Sequence, residues 1–392
     1  MATNDFTRRH FLRTTGTGLL VAAAGGAAPL APPDNQPPDL EVPPGAIKKV
    51  NWAIVGLGKL ALEEVMPAFG LTKQSRPHAL VSGHADKANK VADTYGIDRK
   101  RVYNYDNFDR IADDPSIEVV YVILPNHMHA EFTIRALKAG KHVLCEKPMA
   151  VTPDECRQMI DAAKAANKKL MVAYRLRYEP HTQTAIGLLR EKKLGEVRSF
   201  SAANMQNTKA PDIRLSKKTA GGPLGDVGIY CLNAARYMTG LEPIEVSGML
   251  HQPDGEPRFA EVPEQLVWTM RFPNGILAHC ACGFGSEVSR HLRVDCREGF
   301  LEMENAFAYR NQKLLTFQNK GLTQHQIDPV DHFAAEMDYF SGCVLRDENP
   351  ITSGEEGLQD MLIIDAINTA CAERRSVQIA VGVNKAVAGE RA

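Results

Sequence analysis

The sequence is poor in the features that would assign it to several common classes. It has no excess of charge: 46 Lys and Arg stand against 47 Asp and Glu, a formal net charge of −1. A chain so balanced has no global attraction for nucleic acid or an anionic membrane. It has no C-x-x-C pair among its eight cysteines, Cys145, Cys156, Cys231, Cys280, Cys282, Cys296, Cys343 and Cys371. Zinc-ribbon and thioredoxin-type readings therefore lack support, and no metal site is expected. The cysteines read mostly as buried small hydrophobes, with Cys280 and Cys282 on one face of a strand. No stable membrane span is expected either, because the apolar segment near the N-terminus is short and glycine-rich. What remains is an ordinary composition, 44% hydrophobic and 24% charged over 392 residues. That is enough for two or three domains and a large core.

The N-terminus carries an address. Thr7-Arg8-Arg9-His10-Phe11-Leu12-Arg13 is followed by a mildly apolar stretch and by small residues at Ala22 to Ala28. This is the order of a twin-arginine export signal. Residues 1–31 are expected to be that signal, with the twin-arginine machinery as partner and the periplasm or cell exterior as destination. The run PLAPPDNQPPDLEVPPG follows. Proline this dense favours extended polyproline geometry over a packed core, so residues 32–46 are expected to form an arm.

Residues 47–176 predict a Rossmann domain. Val50 to Gly56 is an apolar strand, Gly56-Leu57-Gly58-Lys59-Leu60-Ala61 follows, and ALEEVMPAF continues at helical spacing. The first glycine permits the turn, the second lets backbone approach a pyrophosphate, and Ala61 fills the third small position. A second strand, His78 to Ser82, lacks the terminal Asp or Glu that usually binds a ribose 2′-hydroxyl. It ends in Ser82-Gly83-His84, with Lys87 close behind. A hydroxyl and a cation suit a 2′-phosphate, so NADP is expected over NAD. Further strands at Val119–Leu124, His142–Cys145 and Leu170–Tyr174 alternate with helices, which predicts a doubly wound parallel sheet. Thr152 and Glu155 form a capping box around Pro153 at the start of one helix.

Six signatures occur in order: GLGKLA, LPNHMHAEF, AGKHVLCEKPMA, AYRLRYEPH, AGGPLGDVGIYCLNAARYMTG and SGEEGLQDMLIIDAI. With them the chain resembles the family of glucose–fructose oxidoreductases, inositol dehydrogenases and rhizopine-catabolism proteins, above all its exported branch. The likeness runs from Gly56 to Ile367. It implies that residues 177–392 form an α+β domain, an open and largely antiparallel sheet with helices on one face that often serves as a subunit interface. A homodimer or homotetramer is then expected. The bare pattern agrees, with strands at Glu196–Met205, Glu245–Leu250, Gln265–Phe272, Ile276–Gly283, Arg290–Cys296 and Phe300–Met303.

Oxidising a sugar alcohol needs a group to take the hydroxyl proton and a cation to stabilise the alkoxide. The resemblance makes Lys147 the orienting and electrostatic lysine, Tyr230 the acid/base and Asp226 the sugar-binding carboxylate. Asp226 and Tyr230 are four apart and would share a helix face. Gly56, Gly58, Lys59, Leu60, Ala61, Ser82, Gly83, Lys87, Tyr105, Leu124, Pro125, Asn126, His129, Glu146, Lys147 and Arg175 are the expected cofactor-binding set. Arg177 and Tyr178 are weaker substrate candidates. Two departures from the family pattern lie near the substrate mouth: Ala220-Gly221-Gly222 in place of three glycines, and no aromatic at Ile213. The expected activity is two-sugar redox chemistry on a tightly bound NADP. An NAD-dependent glycoside hydrolase, an ordinary sugar dehydrogenase and a non-catalytic sugar sensor are the alternatives.

Overall fold

Val50–Val55 is buried along its whole length, as a strand covered by helices on both faces must be. A computed structural model of the chain describes residues 48–379. The expected signal peptide and the whole of the proline-rich arm lie outside them. β1 (Val50–Val55), β2 (Ser75–Val81), β3 (Val102–Tyr103), β4 (Val119–Val122), β5 (His142–Glu146) and β6 (Leu170–Ala173) form a parallel sheet in the order β3-β2-β1-β4-β5-β6. The order turns back at β1, where β2 and β4 flank it, and the ligand crevice of such sheets opens there. β3 was not visible in the sequence, since two residues carry no periodicity.

The helix after the glycine turn, α1, has π geometry over Ala61–Val65 and continues as α-helix over Met66–Ala68. Then come α2 (Ala85–Tyr95), α3 (His129–Lys138) and α4 (Pro153–Ala166). The capping box of α4 is present: Thr152 Oγ1 accepts from the Glu155 N–H, and Glu155 accepts from the Thr152 N–H.

The second region holds α5 (Pro180–Arg190), β7 (Val197–Asn207), a π turn over Leu224–Gly228 that runs into α6 (Ile229–Thr239), and β8 (Glu245–His251). β9 (Gln265–Arg271), β10 (Leu277–Gly283), β11 (Gly285–Cys296), β12 (Gly299–Glu304), β13 (Lys313–Gln318) and β14 (Gly321–His325) follow. The chain ends in α7 (His332–Arg346), α8 (Gly354–Glu373) and β15 (Val377–Gln378). The sheet has nine strands in the order β14-β13-β12-β11-β7-β10-β9-β8-β15. Every neighbour pair is antiparallel except β7 and β10. β9 alternates, with Leu266, Trp268 and Met270 buried and the residues between them exposed. The buried face packs on α6 and α8. The other face leaves Met249, Val267, Leu277 and Leu322 exposed.

One helix of the second region packs on the first. α7 crosses back and packs on the first sheet: Phe340 lies edge-on to Trp52 at 6.0 Å, and the Trp52 indole N–H donates to Ser341 Oγ at 3.1 Å. Burying a side chain such as Phe340 contributes about 1.5–3 kcal/mol. Asp338 on α7 accepts from the Lys73 and Gln74 N–H groups and from Ser75 Oγ. The two regions are therefore locked together by a helix the sequence reading assigned to the second alone. All eight cysteines are free, and all but Cys296 are buried. Among the described residues no helix is long and apolar enough to cross a membrane.

Candidate active site

Gly56 ends β1 at φ +96°, and a Cβ there would overlap the Ile123 carbonyl oxygen. Only glycine lets the turn pass that close to β4. Around Gly58 the reverse holds: nothing lies within 4 Å of where a Cβ would be, so its backbone faces open space at the start of α1. Lys59 is exposed beside Glu63, Leu60 is half-buried and Ala61 is fully buried. The Lys87 ammonium donates to the Leu57 carbonyl at 3.1 Å, which brings it to the glycine turn. Ser82 Oγ accepts from the His84 N–H at 3.1 Å. The Tyr105 ring lies 3.1 Å from where a Gly83 Cβ would stand. The β2 end thus offers a hydroxyl, a tight glycine and a nearby cation. These residues fit a dinucleotide: an open backbone at a helix start for the pyrophosphate, and no carboxylate ending β2.

Two strand-end loops, after β4 and β5, frame the inner crevice. Leu124 and Pro125 lead from β4 into Asn126, whose side chain donates to the Ala220 carbonyl at 2.9 Å. His129 is buried, and both ring nitrogens lie 2.8 Å from carbonyl oxygens, those of Leu124 and Pro148. It therefore acts as a strut between the β4 and β5 loops. Burial lowers its proton affinity and the carbonyls oppose that. Glu146, at the end of β5, accepts from Tyr121 Oη at 2.7 Å. Burial pushes its carboxyl above the ordinary range, against the pull of Lys147.

Lys147 meets the second region. Its ammonium donates to the Asp226 main-chain oxygen at 2.7 Å and faces Asp226 Oδ1 at 3.3 Å and the Tyr230 ring at 4.8 Å from its centroid. Burial works against the charge, but Tyr230, Asp226 and Glu146 outweigh it and hold the ammonium above an ordinary lysine. Burial likewise opposes ionisation of Asp226, yet Lys147 and Arg214 hold its carboxyl below the usual range. Asp226 lies in the π turn and Tyr230 in α6. π turns recur where a helix re-aims functional side chains. Gly228 between them is pressed on the sheet, with Cys282 Sγ 2.8 Å from where its Cβ would be.

Arg175 closes the site from beneath. It is buried, donates to the Phe307 and Ala308 carbonyls, and shares a 2.9 Å contact with His332 Nδ1. Its guanidinium lies 5.1 Å from the Tyr230 ring centroid and 4.5 Å from that of Tyr309. No carboxylate pairs with it among the described residues, so its charge faces the two tyrosines. Arg177 stacks on Tyr237 at 4.1 Å, and Tyr178 Oη meets Thr352 Oγ1 at 2.8 Å. Both are buried.

Residues 50–174 match an oxidoreductase family with an NAD-binding Rossmann fold, and residues 182–302 match the C-terminal domain of the same GFO/IDH/MocA family. The chain belongs to this family. It is 39% identical to the aldose-aldose oxidoreductase of Caulobacter crescentus, solved with glycerol, over 85% of this chain and 100% of that one, with a TM-score of 0.83. It is 29% identical over 340 residues to a D-xylose 1-dehydrogenase [NADP(+)] of Haloarcula marismortui, covering 84% of this chain and 93% of that protein. A 3-ketoreductase of Actinomadura kijaniata, solved with NADP and TDP-benzene, aligns at 25% identity over 83% of this chain and 98% of that one, with a TM-score of 0.74.

For a member of this family the sequence motifs found Lys147, Asp226 and Tyr230, and the fold brings these three together. They did not find Arg214, whose Nε donates to Asp226 Oδ2 at 2.8 Å. Nor did they find Tyr309, His332 or Glu336. Arg214 lies just ahead of the AGG run, and that position was its only signal. Glu336 is fully buried with neither carboxyl oxygen hydrogen-bonded. Burial, and then Glu146, push its carboxyl far above the usual range. Nothing local marks it, because it is one helical glutamate among many.

Proposed function

We propose that the protein is a sugar oxidoreductase that keeps NADP bound, oxidises an aldose to its lactone and reduces a second sugar. The observation that carries this reading is the Lys147–Asp226–Tyr230 cluster, set at the inner end of a dinucleotide crevice whose β2 ends without a carboxylate. Support comes from the aldose-aldose oxidoreductase and NADP-dependent xylose dehydrogenase among its relatives.

Bound NADP would supply what no side chain can, a hydride acceptor for one sugar and donor for the next. Gly56, Gly58, Ser82 and Lys87 would hold its phosphate-bearing half. The rest belongs to the chain. Lys147 has three N–H donors; one reaches the Asp226 carbonyl and one faces Oδ1. The third is left for the reacting sugar oxygen, where a fixed cation stabilises alkoxide charge. Tyr230 Oη takes the hydroxyl proton and returns it to the second sugar. Asp226 accepts from a neighbouring sugar hydroxyl. Buried Arg175 and Glu146 help keep bulk water from the reacting carbon.

Twin-arginine export, which carries folded proteins, would let the cofactor travel inside its enzyme to the periplasm or beyond. Tight retention follows from that location, because no external pool would replace a lost cofactor. The proline-rich arm is suited to latching it, since a pre-extended segment loses little entropy on docking. The exposed apolar positions Met249, Val267, Leu277 and Leu322 suit self-association of the open sheet face.

The test uses extensively desalted native protein with no added nucleotide. Glucose should raise the reduced-nicotinamide absorbance and fructose should then lower it. Nucleotide released on denaturation without that rise would replace these sugars with others or with glycoside cleavage. Protein that holds no nucleotide would overturn the bound-cofactor reading.

A further inference from the structure

Both carboxylate oxygens of Asp226 are held by cations from different parts of the chain. Lys147 faces Oδ1 at 3.3 Å from the β5 loop, and Arg214 Nε donates to Oδ2 at 2.8 Å. Arg214 sits on the short turn Ile213–Leu215. Residues 212–222 fold on themselves around it. The Gly222 N–H donates to the Arg214 carbonyl at 2.9 Å, and a Cβ on Gly221 would overlap that same carbonyl oxygen. Asp212 accepts from the Arg214 N–H at 2.8 Å.

This loop is tied down at three places. Ser216 Oγ and the Lys217 N–H donate to Glu261 at 2.9 and 2.8 Å. Asn126, from the first region, donates to the Ala220 carbonyl at 2.9 Å. Arg214 makes the third tie, and its side chain ends on the Asp226 carboxylate of the Lys147–Asp226–Tyr230 cluster. Its side chain is 43% exposed while that of Asp226 is 18% exposed, so the guanidinium covers the carboxylate from the solvent side.

We propose that Arg214 is a positioning residue that straps the 212–222 loop across the site and fixes the Asp226 carboxylate for a sugar. The proposal deepens the sugar reaction above and rests on it for the role of Asp226. A carboxylate has about four lone-pair sites. Two cations engage one site on each oxygen and stop the group rotating, so the remaining sites keep one direction for sugar hydroxyls. A guanidinium suits this because its planar fork is directional, whereas an ammonium is a point charge. Among the described residues, Lys147, Arg214 and the Cys282 thiol behind the π turn act on Asp226, and Tyr230 on the following helix faces Lys147.

Hydrogen exchange without sugar tests the strap, and steady-state kinetics test the positioning. Amides of residues 213–222 should exchange at least about tenfold faster in Arg214→Gln, with the two sheets unchanged. Asp226→Asn, which weakens the tie from its other end, should loosen the same amides. The sugar KM of Arg214→Gln should rise about tenfold or more, a loss of ~1.4 kcal/mol, with kcat within about threefold and nucleotide content unchanged. Its acid limb of sugar affinity should move to higher pH, because one of the two cations favouring the Asp226 anion is gone. Arg214→Lys should recover part of the affinity. Unchanged exchange in both variants would overturn the strap. An equal fall in kcat and kcat/KM, with KM unmoved, would overturn the positioning role. If the wild-type protein turns over no sugar, the sugar reading fails, and the exchange experiment still decides the strap.

Discussion

The two regions build their shares of the site by different means. The first works with backbone: Gly56, the Leu124–Asn126 loop and the Glu146–Lys147 pair all sit at ends of parallel strands, so sheet order alone brings them together. The second works with side chains on a re-aimed helix and a folded loop: Asp226 from a π turn, Tyr230 from α6 and Arg214 from residues 212–222. Strand ends are converged by hydrogen-bonded ladders. A helix face becomes functional only if packing sets its height, and here Gly228 against Cys282 does so. The first region therefore tolerates little change in the strand ends that carry Lys147, and the second little change in the packing that carries Asp226 and Tyr230.

Removing one functional group from each region tests that contrast with the largest effect. Lys147→Met and Tyr230→Phe are each expected to lower kcat by roughly 10²–10⁴-fold. The double variant should fall far short of the product of the two, because groups acting as a unit are not additive. Single-turnover absorbance on nucleotide-loaded protein measures all three. Multiplicative losses would mean that the two regions act independently.

Next in size is the joint at His332. Burial, and then the Arg175 charge, lower its imidazole from 6.5 to about 3. The unfolded chain takes up that proton near pH 6.5 and the folded chain does not. Its stability contribution is thus complete above pH 6.5 and is lost as pH falls, by up to about 1.4 kcal/mol per unit. Denaturant unfolding from pH 6.5 to 5 should show about 1.6 kcal/mol lost, and His332→Asn should flatten that slope. An unchanged slope in the variant would place the proton uptake elsewhere.

The smallest effect concerns the family departure at Ala220, which sits at φ +55°. The left-handed region costs a residue with a Cβ about 1–2 kcal/mol. Glycine relieves that strain but widens the unfolded ensemble. Ala220→Gly should therefore raise stability by about 0.5–1 kcal/mol in thermal unfolding and leave sugar kinetics unmoved. A loss of stability would show that Ala220 packing outweighs its strain.

Much of the first region was legible because its signals are local. An apolar run, a glycine turn and the Thr152–Glu155 capping box each declare themselves within a few residues. β3 and the short β15 escaped, being two residues each. The second sheet was partly legible through alternation, as in β9, but β13 and β14 were missed although their lengths are ordinary. Lys147, Asp226 and Tyr230 were found through motifs. Arg214, Tyr309, His332 and Glu336 owe their roles to partners 12 to 157 residues away, or to burial no neighbouring residue reveals.

The sequence by itself determined the parallel sheet, the glycine turn, the β2 end without a carboxylate and the three residues, Lys147, Asp226 and Tyr230, that the fold then brings together. Those follow from periodicity, steric permission and residue chemistry, which are properties of short segments. The tertiary structure decided that α7 returns to the first sheet, that Arg175 meets the tyrosines with no carboxylate partner among the described residues, and that Asp226 lies between two cations. Those are matters of which distant groups share a low-dielectric space, and only packing brings such groups within a few ångströms.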